Sequence, residues 1–234
     1  MKAVILAGGL GSRISEETIK IPKPMIEIGG KPILWHIMKR YSFFGIKKFV
    51  ICSGYLGKII ESYFSEKIED WEVKVVDTGL DTMTGGRLKR VVDEINDETF
   101  CFTYGDSLNN ANISDIIKFH KNKGRLATVT ACHPPEKYGI LKLENDNVLG
   151  FEEKPERKKE WVNAGYFVLE PKVLDFISGD KTIWENEPMK ELIHQNQLNA
   201  YKHDGFYKSM DTISDKRFLE KKWNENNAEW KIWQ

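Results

Sequence analysis

Short apolar runs alternate with segments of helical periodicity along the first 133 residues, and this alternation limits the fold more than any other feature of the chain. Continuous apolar runs of this length are typical of strands buried on both faces of a parallel sheet. The predicted strands span 2–7, 47–54, 71–78, 99–106 and 126–133, and the predicted helices span 32–44, 59–64, 87–95 and 114–123, with Ser114 as an N-cap. This order predicts an α/β fold with a mostly parallel sheet flanked by helices.

The pattern changes after residue 133. A turn at Asn145-Asp146-Asn147 between two strand-like runs predicts a β-hairpin, and the run 161–171 predicts a further strand. Short helices are predicted at 172–177, 188–195 and 214–223. A chain of 234 residues without a linker fits a single domain spanning 1–234, in which about 1–133 and about 134–234 form two halves.

The charge balance disfavours partners that are recognised through a strong overall field. The chain has 35 basic and 35 acidic residues, so it is predicted to bind neither nucleic acid nor a membrane. Its N-terminus does not resemble a signal peptide and no apolar run approaches ~20 residues, so we expect a cytoplasmic protein. Cys52, Cys101 and Cys132 are widely spaced in strand-like runs, which predicts buried thiols rather than a disulfide or metal site.

Three glycines follow the first predicted strand directly, at Gly8, Gly9 and Gly11. A dinucleotide fingerprint requires a third glycine that is absent here, and the lysine-containing loop of P-loop proteins is also absent. The backbone N–H groups of these glycines can instead form an anion-binding concavity, with Arg13 and Lys23 supplying positive charge. A tight turn beside ordinary surface cations is the alternative that the loop alone leaves open.

The motif LAGGLGSR, followed by PKPM, is similar to the signature of the nucleotidyltransferases that join a nucleoside triphosphate to a sugar 1-phosphate. Further motifs in the same order are GGKPILWHIMK, VDTG, TMTGGRLKR, FTYGD, FEEKP, VNAGYFVL, TIWENEPM and MDT. Together they resemble most closely the glucose-1-phosphate cytidylyltransferases, over nearly the whole chain. The resemblance implies a Rossmann-like sheet, CTP as the donor, a Mg²⁺ cofactor, and a CDP-sugar and pyrophosphate as products.

The resemblance places the nucleotide site mainly in the first half of the chain. It implies that the glycine loop surrounds the β- and γ-phosphates, that Arg13 stabilises the leaving pyrophosphate, and that Lys23 reaches the α-phosphate. It also implies that Asp106 and Asp211 hold the magnesium ion. The implied nucleotide-binding residues are Leu6, Ala7, Gly8, Gly9, Gly11, Ser12, Arg13, Lys23, Thr84, Gly85, Gly86, Arg87, Tyr104 and Gly105, with Gly85 and Gly86 against the cytosine ring and Arg87 nearby.

The second half is implied to bind the phosphorylated acceptor, with Lys154 at its phosphate and Glu153 at a sugar hydroxyl. The other implied acceptor-binding residues are Asn163, Ala164, Gly165, Trp184 and Glu185. Plainer roles stay open, because Gly85 and Gly86 can simply begin a helix and Gly165 can ease strand packing. The tryptophans near the C-terminus are interpreted as packing residues or as subunit contacts in a homo-oligomer.

This chemistry needs no serine, cysteine or histidine nucleophile. A phosphate-bearing acceptor supplies its own anionic oxygen, so the difficulty lies in bringing two anions together. Cationic side chains and a bridging metal ion then provide positioning and electrostatic stabilisation. Asp106 ends an apolar strand, where open α/β sheets place their ligands, and Mg²⁺ binds one or two carboxylates together with phosphate oxygens.

Three departures from the family pattern affect this interpretation. The segment between Phe64 and Val76 is short where the family carries a longer polar one, Ile21 replaces a second lysine, and Ser107 replaces a glycine. Glucose 1-phosphate is the leading acceptor, and a different phosphorylated small molecule is the alternative. A nucleotide-binding regulatory domain without turnover is another alternative, whereas the missing fingerprint glycine disfavours a dehydrogenase.

Overall fold

The computed structural model describes residues 1–95, 97–134, 140–152 and 160–233. Seven strands of this part of the chain form one sheet: β1 (Ala3–Leu6), β2 (Lys48–Ser53), β3 (Glu72–Asp77), β4 (Phe100–Tyr104), β5 (Ala127–Cys132), β6 (Val162–Leu169) and β7 (Leu198–His203). Their spatial order is β7-β5-β6-β4-β1-β2-β3, and neighbouring strands are parallel except where β6 pairs antiparallel with β4 and β5. The mixed, mostly parallel sheet confirms the predicted fold class, and both halves of the chain contribute to it.

Helices cover both faces of this sheet. The described α-helices are Ser15–Thr18, Ile33–Phe43, Gly57–Ser65, Thr84–Lys89, Val92–Ile95, Ile113–Lys123, Glu187–His194 and Ile213–Asn224. Short 3₁₀-helices span Ser12–Ile14, Lys23–Met25 and Pro171–Phe176. Two-stranded antiparallel ribbons pair Glu27–Ile28 with Lys31–Pro32, Ser107–Asn109 with Tyr207–Ser209, and Ile140–Glu144 with Asn147–Glu152. Within the described ranges, every helix is too short or too polar to cross a membrane.

Alternating side chains of β1 build two apolar layers, one on each face of the sheet. Ala3 and Ile5 join the layer that contains helix Ile33–Phe43, whereas Val4 joins the layer that contains Leu88 and Trp184. Successive side chains of a strand face opposite sides, so a central strand covered on both faces is apolar at every position. This explains why the uninterrupted apolar run at the N-terminus predicted a buried strand.

Several local predictions differ from the structure. Asn112 rather than Ser114 caps helix Ile113–Lys123, because the Asn112 side chain accepts a hydrogen bond from the Asp115 N–H. The predicted helix 87–95 consists of two shorter helices, and the predicted helix 172–177 is a 3₁₀-helix. Strand β7 was absent from the prediction, since this edge strand carries polar residues and lacks the apolar run of the central strands.

The predicted hairpin is present. Its strands, Ile140–Glu144 and Asn147–Glu152, pair antiparallel around a turn in which Asn145 has a φ of 51°. Asparagine adopts this left-handed conformation more readily than most residues, which agrees with the turn signal in the sequence. The hairpin leads directly to Glu153 and Lys154, and both of these predicted acceptor-binding residues lie outside the described residues.

Candidate active site

A cleft of about 600 Å³ opens at the carboxyl ends of β1 and β4. The two strands are parallel neighbours, so the motifs that follow them meet at this edge of the sheet. The lining residues are Leu6, Ala7, Gly8, Gly9, Leu10, Gly11, Ser12, Arg13, Lys23, Pro24, Leu80, Asp81, Thr82, Met83, Thr84, Arg87, Tyr104, Gly105, Asp106, Lys181 and Glu185. The structure therefore brings together all the predicted nucleotide-binding residues except Gly85 and Gly86.

The glycine loop, residues 8–11, forms one wall of the cleft, and its three glycines differ in what surrounds them. A Cβ at Gly8 would lie 2.1 Å from Arg87 Nη1, so Gly8 packs against that guanidinium. A Cβ at Gly9 would meet nothing within 4 Å, which leaves a ligand room to approach the backbone. Gly11 has a φ of 65°, a left-handed conformation that glycine adopts without strain.

Lys23 connects two carboxylates at the base of this wall. Its Nζ donates to Asp106 Oδ2 at 2.7 Å and to Asp211 Oδ1 at 2.9 Å. Pro22 and Pro24 restrict the backbone on either side of Lys23, which helps to fix the position of its side chain. Arg13 approaches the same cluster from solvent: its side chain is 71% exposed, and its Nη2 lies 3.1 Å from Asp211 Oδ1.

The charges in this cluster stabilise one another. Burial disfavours the charged form of Lys23, but Asp106 and Asp211 outweigh that effect, and the pKa of Lys23 is raised above its usual value of 10.5. Burial also disfavours ionised Asp211, but the hydrogen bond and charge of Lys23, helped by Ser209 and Arg13, lower the pKa of Asp211 below 3.8. At neutral pH the cluster thus contains a cationic lysine and an ionised Asp211.

Asp106 and Asp211 offer the oxygen ligands that Mg²⁺ prefers in proteins. Within the described ranges, no group of three histidine, cysteine or carboxylate side chains is placed to hold a metal ion. Magnesium at phosphate-transfer sites takes one or two carboxylates and completes its coordination with substrate phosphates and water. The two aspartates, brought together around Lys23, fit that partial ligand set.

A second wall of the cleft is formed by Thr84, at the start of helix Thr84–Lys89, and by Glu185. The Tyr104 hydroxyl donates to Glu185 Oε1, and the Thr84 hydroxyl donates to Glu185 Oε2 at 2.8 Å. Burial, followed by the charge and hydrogen bond of Glu185, raises the pKa of Tyr104 well above its usual value, so the phenol stays protonated. This wall presents hydroxyl groups and one engaged carboxylate to a ligand.

Gly85 and Gly86 serve packing in the structure. A Cβ at Gly86 would lie 2.4 Å from the Asp180 carbonyl oxygen, and one at Gly85 would lie 2.9 Å from the Thr182 carbonyl oxygen. The helix that contains them is pressed against this backbone, which is why glycine is needed at both positions. This packing supports the plainer interpretation that the pair begins a helix, and contact of the pair with a cytosine ring stays a prediction.

Trp184 also differs from its prediction as an acceptor-binding residue. The side chain is fully buried, with its ring centroid 5.7 Å from that of Phe102 and 5.8 Å from that of Phe167. It offers no surface to an acceptor in this structure. Its backbone N–H does support the cleft, because it donates to Thr84 Oγ1 at 2.9 Å.

The predicted Asn163-Ala164-Gly165 element lies on β6, behind Tyr104 and next to the cleft. Gly165 has a φ of 75°, and a Cβ there would lie 2.6 Å from Tyr104 Cδ2. Ala164 is buried, whereas Asn163 is exposed and accepts a hydrogen bond from the Gly165 N–H at 2.7 Å. Asn163 is therefore the member of this element that can reach a ligand beside the cleft.

Seven lining residues were not among those predicted from the sequence: Leu10, Pro24, Leu80, Asp81, Thr82, Met83 and Lys181. Leu10 lies inside the motif LAGGLGSR and Pro24 inside the motif PKPM, so their positions in these motifs could have identified them. The loop 80–83 follows β3 at the same edge of the sheet as the glycine loop. The general rule that ligands bind at the carboxyl ends of parallel strands could have found this loop.

Known proteins match this chain over its length. The family model described as Nucleotidyl transferase matches residues 2–230. A glucose-1-phosphate cytidylyltransferase of Salmonella typhi is 49% identical and a probable one of Bacillus subtilis is 40% identical, each with 100% of both chains covered. A crystal structure of a UDP-glucose pyrophosphorylase with UDP-glucose shares the fold, with a TM-score of 0.75, 17% identity, and coverage of 96% of this chain and 98% of that chain.

The relatives are longer than this chain. The alignment with the Salmonella typhi protein spans 257 positions, whereas this chain has 234 residues, so the relative contains residues that are missing here. The structure connects helix Gly57–Ser65 to β3 through only residues 66–71. This short connection agrees with the shortened segment between Phe64 and Val76 that the sequence motifs indicate.

Proposed function

Because this chain belongs to the nucleotidyl transferase family, we propose that it transfers CMP from CTP to glucose 1-phosphate, forming CDP-glucose and pyrophosphate. The relatives at 49% and 40% identity, matched over their full length, carry the name of that activity. The observation that carries the proposal is the Lys23 ammonium held between Asp106 and Asp211 beside the open backbone at Gly9.

The triphosphate binds along the wall formed by the glycine loop. The free space at Gly9 admits phosphate oxygens to the backbone, and Arg13 lies at the solvent side, where a leaving pyrophosphate needs positive charge. Lys23 uses two of its three N–H donors on carboxylates, so the third is available for an oxygen of the α-phosphate. Positive charge is thus placed along the whole triphosphate.

The acceptor attacks through its own phosphate. One phosphate oxygen of glucose 1-phosphate forms a bond to the α-phosphorus of CTP, the bond from that phosphorus to the bridging oxygen breaks, and pyrophosphate leaves with its electron pair. No proton has to be removed from the nucleophile, which agrees with the makeup of the described cleft, where charged groups rather than a nucleophile and base pair are assembled. Asp106 and Asp211 would hold a magnesium ion, and such an ion would supply neutralisation of phosphate charge.

The two halves of the chain divide the substrates between them in this proposal. Residues of 1–133 hold CTP, while residues of 134–234 hold the acceptor, among them Glu185, which lines the cleft, and Asn163, which lies beside Tyr104. Glu153 and Lys154 stay predictions for the acceptor, as do a cytoplasmic location and a homo-oligomeric assembly. The short connection before β3 makes another phosphorylated small molecule the alternative acceptor.

The first experiment measures pyrophosphate release with Mg²⁺, combining CTP, UTP, dTTP, ATP and GTP with glucose 1-phosphate and with other phosphorylated small molecules. Release with CTP and glucose 1-phosphate supports the proposal. Release with CTP and a different acceptor keeps the mechanism and replaces the substrate. Nucleotide binding without release for any pair supports a regulatory domain instead.

Asp106→Asn tests the carboxylate cluster directly. The change keeps the shape of the side chain but removes its charge, so we expect nucleotide binding to persist while turnover falls by roughly 100-fold or more. Asp70→Asn is the matched control, because Asp70 is an exposed partner of Lys47 at the opposite edge of the sheet. Equal turnover in wild type and Asp106→Asn would remove Asp106 from the proposed metal site.

A further inference from the structure

Asp215 is a carboxylate that lies four residues after Asp211, and its side chain is only 9% exposed. Its Oδ2 accepts from the Asp211 N–H at 3.1 Å, from the Thr212 N–H at 2.9 Å and from the Thr212 hydroxyl at 2.8 Å. Its Oδ1 pairs with Lys208 Nζ at 2.6 Å. Both oxygens are thus engaged by groups of the chain itself.

Asp215 is not placed as a metal ligand. Within the described ranges, no three carboxylate, histidine or cysteine side chains are grouped to hold an ion, so Asp215 does not complete a set with Asp106 and Asp211. An unpaired carboxylate this close to the cluster would also repel the phosphates of a nucleotide. The pair with Lys208 lets a carboxylate accept hydrogen bonds here without adding net charge.

The bond from the Asp211 N–H goes beyond what a helix cap requires. Asp215 and Thr212 form a capping box at the start of helix Ile213–Asn224, in which Thr212 Oγ1 accepts from the Asp215 N–H at 3.2 Å. In a capping box the side chain at the third helical position binds the N–H of the N-cap residue. Here the same carboxylate also binds the N–H of the residue before the N-cap, and that residue is Asp211.

The backbone around Asp211 is bonded to Asp106 as well. The Met210 N–H donates to the Asp106 carbonyl at 2.8 Å. The strand Tyr207–Ser209, which leads into Met210, pairs antiparallel with the strand Ser107–Asn109, which follows Asp106. Two consecutive N–H groups therefore fix this segment, one to Asp106 and the next to the start of the helix.

We infer that Asp215 is a positioning residue for the magnesium site: it fixes the backbone of Asp211 so that the carboxylate there stays beside Asp106. Lys208 holds the other oxygen of Asp215 and balances its charge. This inference rests on the proposed function in that Asp106 and Asp211 hold magnesium beside a triphosphate. A ligand that is already held in place binds an ion without an ordering cost, and the loss of a residue that orients a metal ligand typically weakens metal affinity about 10- to 100-fold.

The test measures CTP affinity by titration calorimetry with excess EDTA and again with Mg²⁺, and the ratio of the two affinities is the gain from the metal. We expect Asp215→Ala to bind CTP roughly tenfold more weakly with Mg²⁺, the lower end of that range because the lost contact is to the backbone. Its affinity in EDTA should stay within about twofold of the wild type. A variant that is merely less stable loses affinity alike in both conditions.

A double variant separates the contact from the charge. In Asp215→Asn combined with Lys208→Gln, the amide oxygen at position 215 can keep the three donors, and the two side-chain amides can bond to each other. We expect this double variant to recover most of the gain from Mg²⁺.

Asn112→Ala is the matched control for the loss of a helix cap. Asn112 caps helix Ile113–Lys123 by accepting from the Asp115 N–H at 3.2 Å, and the start of that helix contains neither of the two proposed metal ligands. We expect its CTP affinity to equal that of the wild type in both conditions.

Three results would overturn the inference. The first is an undiminished gain from Mg²⁺ in Asp215→Ala, and the second is an equal loss of CTP affinity with and without Mg²⁺. The third is a double variant that loses as much as Asp215→Ala, since the charge of the pair would then account for the effect.

The proposed function fails separately. If the wild type binds another nucleoside triphosphate rather than CTP and gains affinity from Mg²⁺, the cytidylyl transfer proposal is wrong, and the same variants with that triphosphate still decide the role of Asp215. If Mg²⁺ adds no affinity for any nucleoside triphosphate, Asp211 does not hold the ion and the inference about Asp215 is wrong.

Discussion

Each of the two walls of the cleft belongs to a segment with adjacent glycines, but Gly8 and Gly9 line the cleft whereas Gly85 and Gly86 do not, and the surroundings of Gly9 and Gly86 are opposite. On the first wall, a Cβ at Gly9 would meet nothing within 4 Å. On the second wall, a Cβ at Gly86 would lie 2.4 Å from the Asp180 carbonyl oxygen. A glycine pair in a sequence thus indicates that something comes close to the backbone, but it does not indicate whether that is a ligand or another part of the chain.

The walls also differ in charge. The first brings Arg13 and Lys23 to Asp106 and Asp211, so it can stabilise charge on a transferring phosphate. The second presents the Thr84 and Tyr104 hydroxyls, already bonded to Glu185. We therefore expect changes on the first wall to alter chemistry and changes on the second to alter stability and shape.

Lys23→Met should have the largest effect, because it removes the cation that lies closest to both carboxylates. We expect turnover to fall roughly 100- to 1,000-fold, the range for loss of one preorganised electrostatic contact to a transition state. Pyrophosphate release at saturating substrates measures it, and Lys47→Met, which removes an exposed lysine paired with Asp70, is the control. If Lys23→Met kept a turnover close to that of the wild type, the first wall would not be the one that stabilises charge on the transferring phosphate.

Gly86→Ala should have the next largest effect, and it should appear in stability. The added methyl group has no space against Asp180, so we expect the free energy of unfolding to fall by about 1–3 kcal/mol, as in other overpacked sites. Urea denaturation followed by circular dichroism measures this loss.

Gly9→Ala is the matched counterpart on the other wall. Because a Cβ there enters open space, the free energy of unfolding should change by less than about 0.5 kcal/mol, while affinity for tripolyphosphate falls roughly tenfold. Equal losses in the free energy of unfolding for Gly9→Ala and Gly86→Ala would show that the two glycines do not differ in the space around them.

The smallest expected effect is on stability at low pH. The pKa of Asp211 lies below its usual 3.8 because of Lys23, so its contribution to stability is complete above that pH and is lost as pH falls through the folded-state value. In Lys23→Met the pKa of Asp211 should rise, which carboxyl-carbon NMR titration can follow. A pKa that stays as low as in the wild type would assign the shift to Ser209 and Arg13 instead.

Much of the site could be predicted from the sequence, because the residues that line the first wall sit in short continuous motifs. Leu6 to Gly9, Gly11 to Arg13, Lys23, and Tyr104 to Asp106 all line the cleft as expected. Predictions were less accurate where a residue's role depends on a distant segment. Trp184 sits in a motif that resembles an acceptor site, yet Phe102 and Phe167 bury it in the core.

The sequence by itself determined the fold class, since the apolar runs of the strands and the periodicity of the helices are local patterns that dictate burial on two faces. It also indicated that the glycine loop and the strand-end Asp106 would share one edge of the sheet, and the resemblance to the nucleotidyltransferases implied that Lys23 joins them. The tertiary structure alone decided that Lys23 lies between Asp106 and Asp211, that Gly86 packs on Asp180, and that Arg87 bonds across three strand ends. These pairings join segments far apart in the chain, and a residue type specifies which bonds a side chain can form but not which partner the fold will bring to it.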